Sequence, residues 1–271
     1  MELAKKIVIV LLIFLLTFGL FFYKNSQNST KSIISLENKM IQYAQDYQQD
    51  VPTRFLNINN ADIIAETFQE VSKHIYYLNT RLSYKGDFFG ISEIKLSYLY
   101  YDRFGKPDIP KLNQVQKDTE AAINEITKIV NKNQSQRQIA LQLHDLLIDR
   151  IEYDYQNYVR DTLPNTSYTI YGALVLNKAV CDGYSKSYSR LLDEYGIENY
   201  LVSVDVMDHS WNLVKINGNW FHVDLTWDDP IYPGGNFYSN ISHDYFLISD
   251  QKISQDHYGW NPNLPKAVTE N

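Results

Sequence analysis

The sequence predicts a mixed fold of helices and antiparallel strands, and two patterns in its second half carry this prediction. After Cys181, apolar and aromatic residues recur at helical spacing, at Tyr184, Tyr188, Leu191, Leu192 and Tyr195. Further on, Asn217-Gly218 separates two strand-like segments, which is typical of a two-residue β-hairpin. The 271 residues are enough for one sizeable domain or two small ones.

The composition excludes several classes of protein. A formal net charge of −7 is unlike the basic surface of a nucleic-acid binder, so no nucleic-acid partner is expected. Hydrophobic residues make up 44% of the chain, which is enough for a packed core. The single cysteine excludes an intramolecular disulfide and a thiolate metal cluster.

The N-terminus carries an uninterrupted apolar run over residues 7–23. As a helix it would cover roughly 25 Å, a short but sufficient membrane span. Lys5 and Lys6 precede the run and Lys24 follows it, so residues 1–6 are predicted to be cytoplasmic and the rest to lie outside. We therefore expect a single-pass protein of the cell membrane, with its main domain extracellular.

A cleaved signal peptide and a buried core helix are the alternatives to this transmembrane anchor. Signal peptides have a shorter apolar region that ends in a small-residue cleavage site. Here Phe21-Phe22-Tyr23-Lys24 stands at that place, which favours the uncleaved anchor.

Residues 24–135 are predicted to be a mainly helical N-terminal region. Apolar residues recur at helical spacing within residues 33–48, 64–78 and 122–130, and residues 88–103 could hold one or two strands. Ser135 and Gln138 then have the spacing of a capping box, which predicts the start of another helix. A second domain is assigned to residues 136–265.

The position of Cys181 at a helix start has chemical meaning. Unpaired N–H groups and the partial positive charge of a helix N-terminus favour thiolate over thiol and could hold an oxyanion. Gly196 fits the left-handed position just past the end of the same helix. The alternative for Cys181 is a small buried hydrophobic residue.

The hairpin predicts which side chains share a face. If Asn217-Gly218 is the loop, one face is apolar and the other carries His209, Trp211, Trp220, His222 and Asp224. His209 and Asp224 are diagonal neighbours there, close enough for their side chains to meet. Separately they could be a surface histidine and a turn carboxylate. With Cys181 they supply the nucleophile, base and orienting acid of cysteine-based acyl transfer.

Three motifs in order resemble the bacterial form of the transglutaminase-like domain: YGAL, then VCDGYSKSYSRLL with YGI, then HSWNLVKINGNWFHVDLTWDDP, all within residues 171–230. The resemblance extends to residues 143–155 (LHDLLIDRIEYDY) and 245–260 (YFLISDQKISQDHYGW). It implies that Cys181 is the catalytic nucleophile, His209 the base and Asp224 the orienting acid.

The resemblance also implies an α+β fold, papain-like in a broad sense, with a nucleophile helix packed on an antiparallel sheet. The implied activity is that of a cysteine-dependent hydrolase or acyltransferase, which attacks a carboxamide or peptide bond and forms an acyl-thioester. Water or an amine would take the acyl group, and the sequence leaves this open. The substrate would be a peptide or protein, with cell-wall peptides among the candidates.

A non-catalytic binding module of the bacterial cell surface is the alternative function. No cofactor is predicted. No metal is predicted either, since Asp228-Asp229, Asp205 and Asp208 lack the spacing of an EF-hand. Tyr171, Trp211 and Trp220 are candidates for a second oxyanion donor, and His222 is expected to be structural.

Overall fold

The computed structural model describes residues 30–269, except positions 57, 59, 81 and 89 and the segment 230–240. The predicted membrane-spanning segment, residues 7–23, lies outside the described residues. Within the described part, no helix is both long and apolar enough to cross a bilayer.

The chain divides into two compact units. The first contains, of the described residues, 30–71 and 83–95. It holds helix α1 (30–45), most of α2 (Ala61–Ser72) and a three-stranded antiparallel sheet in the order β1-β3-β2. Its strands are β1 (Asp50–Pro52), β2 (Ser83–Asp87) and β3 (Gly90–Lys95). The predicted N-terminal region is thus helical in large part but also contains a small sheet.

The second unit contains residues 72–82 and those that follow Leu96. Its helices are α3 (Ile109–Ile129), α4 (Gln136–Arg150), α5 (Tyr155–Val159), α6 (Ile170–Leu174), α7 (Cys181–Glu194) and α8 (Asp250–Ile253). The predicted capping box is present, because the Ser135 hydroxyl accepts from the Gln138 N–H and the Gln138 side chain accepts from the Ser135 N–H. Two short strands, β4 (Glu152–Tyr153) and β5 (Lys178–Ala179), pair in parallel.

A four-stranded antiparallel sheet supports the second half of the chain. Its strands are β6 (Asn199–Val204), β7 (His209–Ile216), β8 (Asn219–Val223) and β9 (Phe246–Ile248), in that order across the sheet. The hairpin turn has positive φ at Asn217 (50°) and Gly218 (87°), and Ile216 faces Asn219 as predicted. The β7–β8 ladder ends at the pair of Asn212 and Val223, so His209 and Asp224 lie just beyond it.

Both faces of this sheet are buried. Helix α7 packs on one face, where the Asn212 side chain donates to the carbonyl of Ser185 at 3.0 Å. The other face joins a core cluster with the C-terminal segment, made of Val202, Val204, Trp211, Leu213, Ile253 and Ala267. The predicted face that carries Trp211 is therefore covered by residues that follow β9.

Candidate active site

Cys181 is the first residue of α7, as the periodicity predicted. Its position depends on a close approach of the first helical turn to the preceding chain. A Cβ atom on Gly183 would lie 2.6 Å from the Cβ of Ala179 and 2.9 Å from the carbonyl oxygen of Ser167. Only glycine fits there without a shift, so the helix start that holds Cys181 is closely packed.

The electrostatic environment of Cys181 differs from the expectation of a stabilised thiolate. The side chain is buried, with 7% of the residue exposed, and this burial raises the pKa of the thiol to about 12. The neighbouring charge of Asp182 acts in the same direction. The backbone N–H groups of Ser210 and Asp182 favour the ionised sulfur, but burial outweighs them. The resting thiol is therefore protonated.

His209 and Asp224 meet as the hairpin parity predicted. The Nε2 atom of His209 lies 2.6 Å from Oδ2 of Asp224. Asp208 adopts a left-handed conformation (φ 48°) directly before His209, at the turn between β6 and β7. The Cys181 sulfur lies near the start of the same strand, within reach of the backbone N–H of Ser210, the residue that follows His209.

The Asp224 carboxylate is buried and fully hydrogen-bonded. Its Oδ1 accepts from the N–H of Thr226 (3.0 Å), the hydroxyl of Thr226 (2.8 Å) and the N–H of Trp227 (3.3 Å). Burial alone would raise the pKa of Asp224, but hydrogen bonds from His209, His257 and Thr226 outweigh it and hold the pKa well below its usual range. Asp224 is therefore an anion, and hydrogen bonds to both of its carboxylate oxygens fix its orientation.

His257 is a residue of this site that the sequence analysis did not single out. Its Nε2 lies 3.0 Å from the same Asp224 oxygen, and its Nδ1 lies 2.7 Å from Oδ1 of Asp256. The only sequence signal was its position inside residues 245–260, which resemble the closing segment of the family. No local periodicity could pair it with Asp224, because 33 residues separate the two.

Aromatic rings surround the His209 imidazole. Trp211 stacks on it at a centroid distance of 5.8 Å, and Trp227 lies at 6.0 Å. Tyr153 lies near the thiol, since burial and the nearby Cys181 both raise the pKa of its phenol. Trp227 is partly exposed, so this aromatic shell reaches the surface.

The three proposed oxyanion donors make contacts elsewhere. Trp211 donates its indole N–H to Nδ1 of His222 at 2.9 Å, and Trp220 packs against Tyr200. Tyr171 lies within hydrogen-bonding reach of the Tyr100 hydroxyl. His222 itself bridges Trp211 and Asp250 through its two ring nitrogens. His222 therefore links Trp211 on β7 to Asp250 on α8.

Among the described residues, two groups of side chains are close enough to share a metal ion: His144, Asp145 and His243, and His209, Asp224 and His257. In each group the shared aspartate oxygen lies 2.6–3.0 Å from both histidine nitrogens. These are hydrogen-bond lengths, so each group is satisfied without an ion. We assign a metal to neither.

Comparison with known proteins agrees with this geometry. Residues 121–254 match the model of a family described as the transglutaminase-like domain. The chain carries a transglutaminase-like domain. The matched range contains Cys181, His209 and Asp224, and the resemblance drawn from the three sequence motifs is confirmed. No curated protein matches the sequence.

Solved structures with transglutaminase-like or cysteine-protease descriptions are distant matches. The crystal structure of a TGase has a TM-score of 0.38 and 15% identity, over 70% of this chain and 53% of that one. A candidate cysteine protease from Cytophaga hutchinsonii has a TM-score of 0.29 and 14% identity, over 54% of this chain and 61% of that one. The transglutaminase-like chain thus spans about half of the first protein and three fifths of the second.

Proposed function

We propose that this transglutaminase-like protein is a membrane-anchored, extracytoplasmic thiol enzyme that cleaves amide or peptide bonds through an acyl-thioester. The observation that carries the proposal is the 2.6 Å contact of His209 with a buried Asp224 anion, in the same site as the Cys181 thiol. Nucleophile, base and orienting acid are the three groups that this chemistry requires.

The hydrogen bond to Asp224 determines which His209 nitrogen is a donor and which can accept a proton. The Nε2 atom donates its hydrogen to the carboxylate, which leaves Nδ1 of a neutral ring free of a proton and able to accept one. Cys181 passes its proton to His209 as the sulfur attacks the carbonyl carbon. Because the resting thiol is protonated, this transfer accompanies the attack and does not precede it.

The rest of the reaction follows from the same two groups. The tetrahedral oxyanion collapses, the C–N bond breaks, and the leaving amine takes the proton from His209. The acyl group stays on the Cys181 sulfur as a thioester. Water, or a second amine, then gives up a proton to His209 and attacks the thioester, which yields a carboxylic acid or a new amide and restores the thiol.

The location and substrate belong to the same proposal. The apolar run over residues 7–23, with lysines before it, supports a single membrane anchor with the transglutaminase-like domain outside. A domain held there would meet peptides and proteins of the cell surface, and cell-wall peptides are the substrate class we propose. Fractionation tests the anchor: the full chain should sediment with membranes, and a chain that lacks residues 1–24 should not.

The burial of Cys181 favours one competing function, a binding module that keeps the fold without the reaction. The pH dependence of iodoacetamide labelling of Cys181 separates the two. In the full-length enzyme His209 can take the thiol proton, so labelling should already be fast near neutral pH. In His209→Ala it should rise only at strongly alkaline pH, where an isolated buried thiol ionises.

A matched variant controls for the loss of a histidine. His243→Ala removes a partly exposed histidine of the same domain, and its labelling profile should follow the wild type. Incubation with a glutamine-containing peptide should then add the acyl mass to wild type and not to Cys181→Ser. Labelling that ignores His209 at every pH would leave the binding module as the better description.

A further inference from the structure

Two histidines share one oxygen of Asp224. Nε2 of His209 lies 2.6 Å from Oδ2, and Nε2 of His257 lies 3.0 Å from the same atom. A carboxylate oxygen only accepts, so each of these nitrogens carries a hydrogen. The second nitrogen of His257 lies 2.7 Å from a carboxylate oxygen of Asp256, so it carries a hydrogen as well. His257 is therefore an imidazolium held between two anions.

The surroundings of His257 keep it in that form. The side chain is fully buried, and the rings of Trp211 and Trp227 pack against it at 5.0 and 4.3 Å. The ionisable groups that face it are Asp224, Asp256, His209, Tyr245 and the more distant His222. Burial lowers the pKa of His257, but the hydrogen bonds to the two carboxylates outweigh burial and raise it.

We propose that His257 is a positioning residue of this site, whose imidazolium binds the same Asp224 oxygen as His209 and so limits how much of that charge supports a protonated His209. The inference deepens the proposed function, since it concerns the base of that reaction.

The arrangement sets the resting charge state of the catalytic pair. The rings of His209 and His257 are 5.4 Å apart, so a positive charge on both is unfavourable. The charge of His257 therefore opposes a second positive charge on His209. Without the charge of His257, Asp224 would support His209 alone, and the protonated form of His209 would be favoured.

Two substitutions separate the charge of His257 from its hydrogen bond. In His257→Gln the amide nitrogen can still donate to Asp224, but the positive charge is lost. In His257→Ala both are lost. His222→Gln is the matched control, because His222 is a buried residue of β8 in the same sheet but contacts Trp211 and Asp250 instead of Asp224.

The readout is the titration of the His209 ring, followed by NMR in the full-length protein in micelles and assigned with His209→Gln. In His257→Gln the midpoint should rise by about one to two pH units, the effect of removing a like charge at this distance. The labelling of Cys181 should begin at higher pH in the same variant, because His209 must lose its own proton before it can accept that of the thiol. His222→Gln should leave the midpoint unchanged, and His257→Ala should also lower the maximal labelling rate, because Asp224 loses a donor.

An unchanged or lower midpoint in His257→Gln would overturn the inference and leave His257 a packing residue. The titration does not need a working enzyme. If Cys181 labelling is the same in the wild type and in His209→Ala, the proposed reaction fails. The titration of the His209 ring still shows whether the charge of His257 acts on His209.

Discussion

Replacing Asp229 with asparagine should stabilise the protein at neutral pH and not at acidic pH. The Tyr184 hydroxyl lies 2.6 Å from an Asp229 oxygen and 2.7 Å from the carbonyl oxygen of Ile151. One phenolic hydrogen cannot serve both acceptors. As an anion, Asp229 competes with Ile151 for that hydrogen, whereas a protonated Asp229 could donate to the Tyr184 oxygen while Tyr184 donates to Ile151. Burial raises the pKa of Asp229 to about 6, and the hydrogen bond from Tyr184 and the charge of His144 offset this only in part.

The size of the effect follows from that value. The unfolded carboxyl titrates near pH 3.9, about two pH units lower, which corresponds to about 3 kcal/mol, or about 2 kcal/mol after allowance for the partly exposed side chain. A raised folded-state pKa contributes stability that is complete below about pH 4 and is lost as pH rises through about 6. Asparagine mimics the protonated acid and does not titrate, so the variant avoids this loss.

Urea unfolding of wild type and Asp229→Asn at several pH values between 4.5 and 7.5 measures the effect. The difference in unfolding free energy should move in favour of the variant by about 2 kcal/mol across this range. Other titrating groups cancel in that difference. A difference that stays constant with pH, or that moves in favour of the wild type, would refute the protonated Asp229.

Three further changes test the site and its supports. Gly183→Ala should lower the free energy of urea unfolding by about 1–3 kcal/mol, since the new Cβ would lie 2.6 Å from the Cβ of Ala179. An unchanged urea midpoint would contradict the close packing at the helix start. Asp224→Asn should lower stability by about 3–5 kcal/mol, because two buried histidines lose their shared anion, and a loss below about 1 kcal/mol in thermal unfolding would disagree. Ser135→Ala should cost about 1 kcal/mol through the lost cap of α4, with Ser254→Ala as a surface control.

Local patterns predicted the parts of the site that local geometry determines. The start of α7 at Cys181, the left-handed Gly196 and the hairpin register each depend on residues close in sequence. The contact of His209 with Asp224 followed from strand alternation on either side of a two-residue turn. These predictions needed no knowledge of the rest of the chain.

Long-range packing determined what the sequence could not predict. The pKa of Cys181 depends on burial by distant segments, and this burial reverses the effect expected of a helix N-terminus. The second partner of Asp224 comes from a segment beyond β9, and periodicity carries no information about such a pairing. In the small sheet of the first unit, β3 lies within residues 88–103, where one or two strands were predicted. Its partners β1 and β2 were not predicted, because they come from segments on opposite sides of α2.

Residues that follow β9 bury one face of the four-stranded sheet, and they are among the last parts of the chain to be synthesised. A polypeptide emerges from the ribosome N-terminus first, so Cys181, His209 and Asp224 are all synthesised before Ile253 and His257. Until those two arrive, one face of the sheet lacks part of its core and Asp224 lacks its second histidine. The same late docking step completes both, so a nascent chain carries its thiol well before the surroundings of Asp224 are complete.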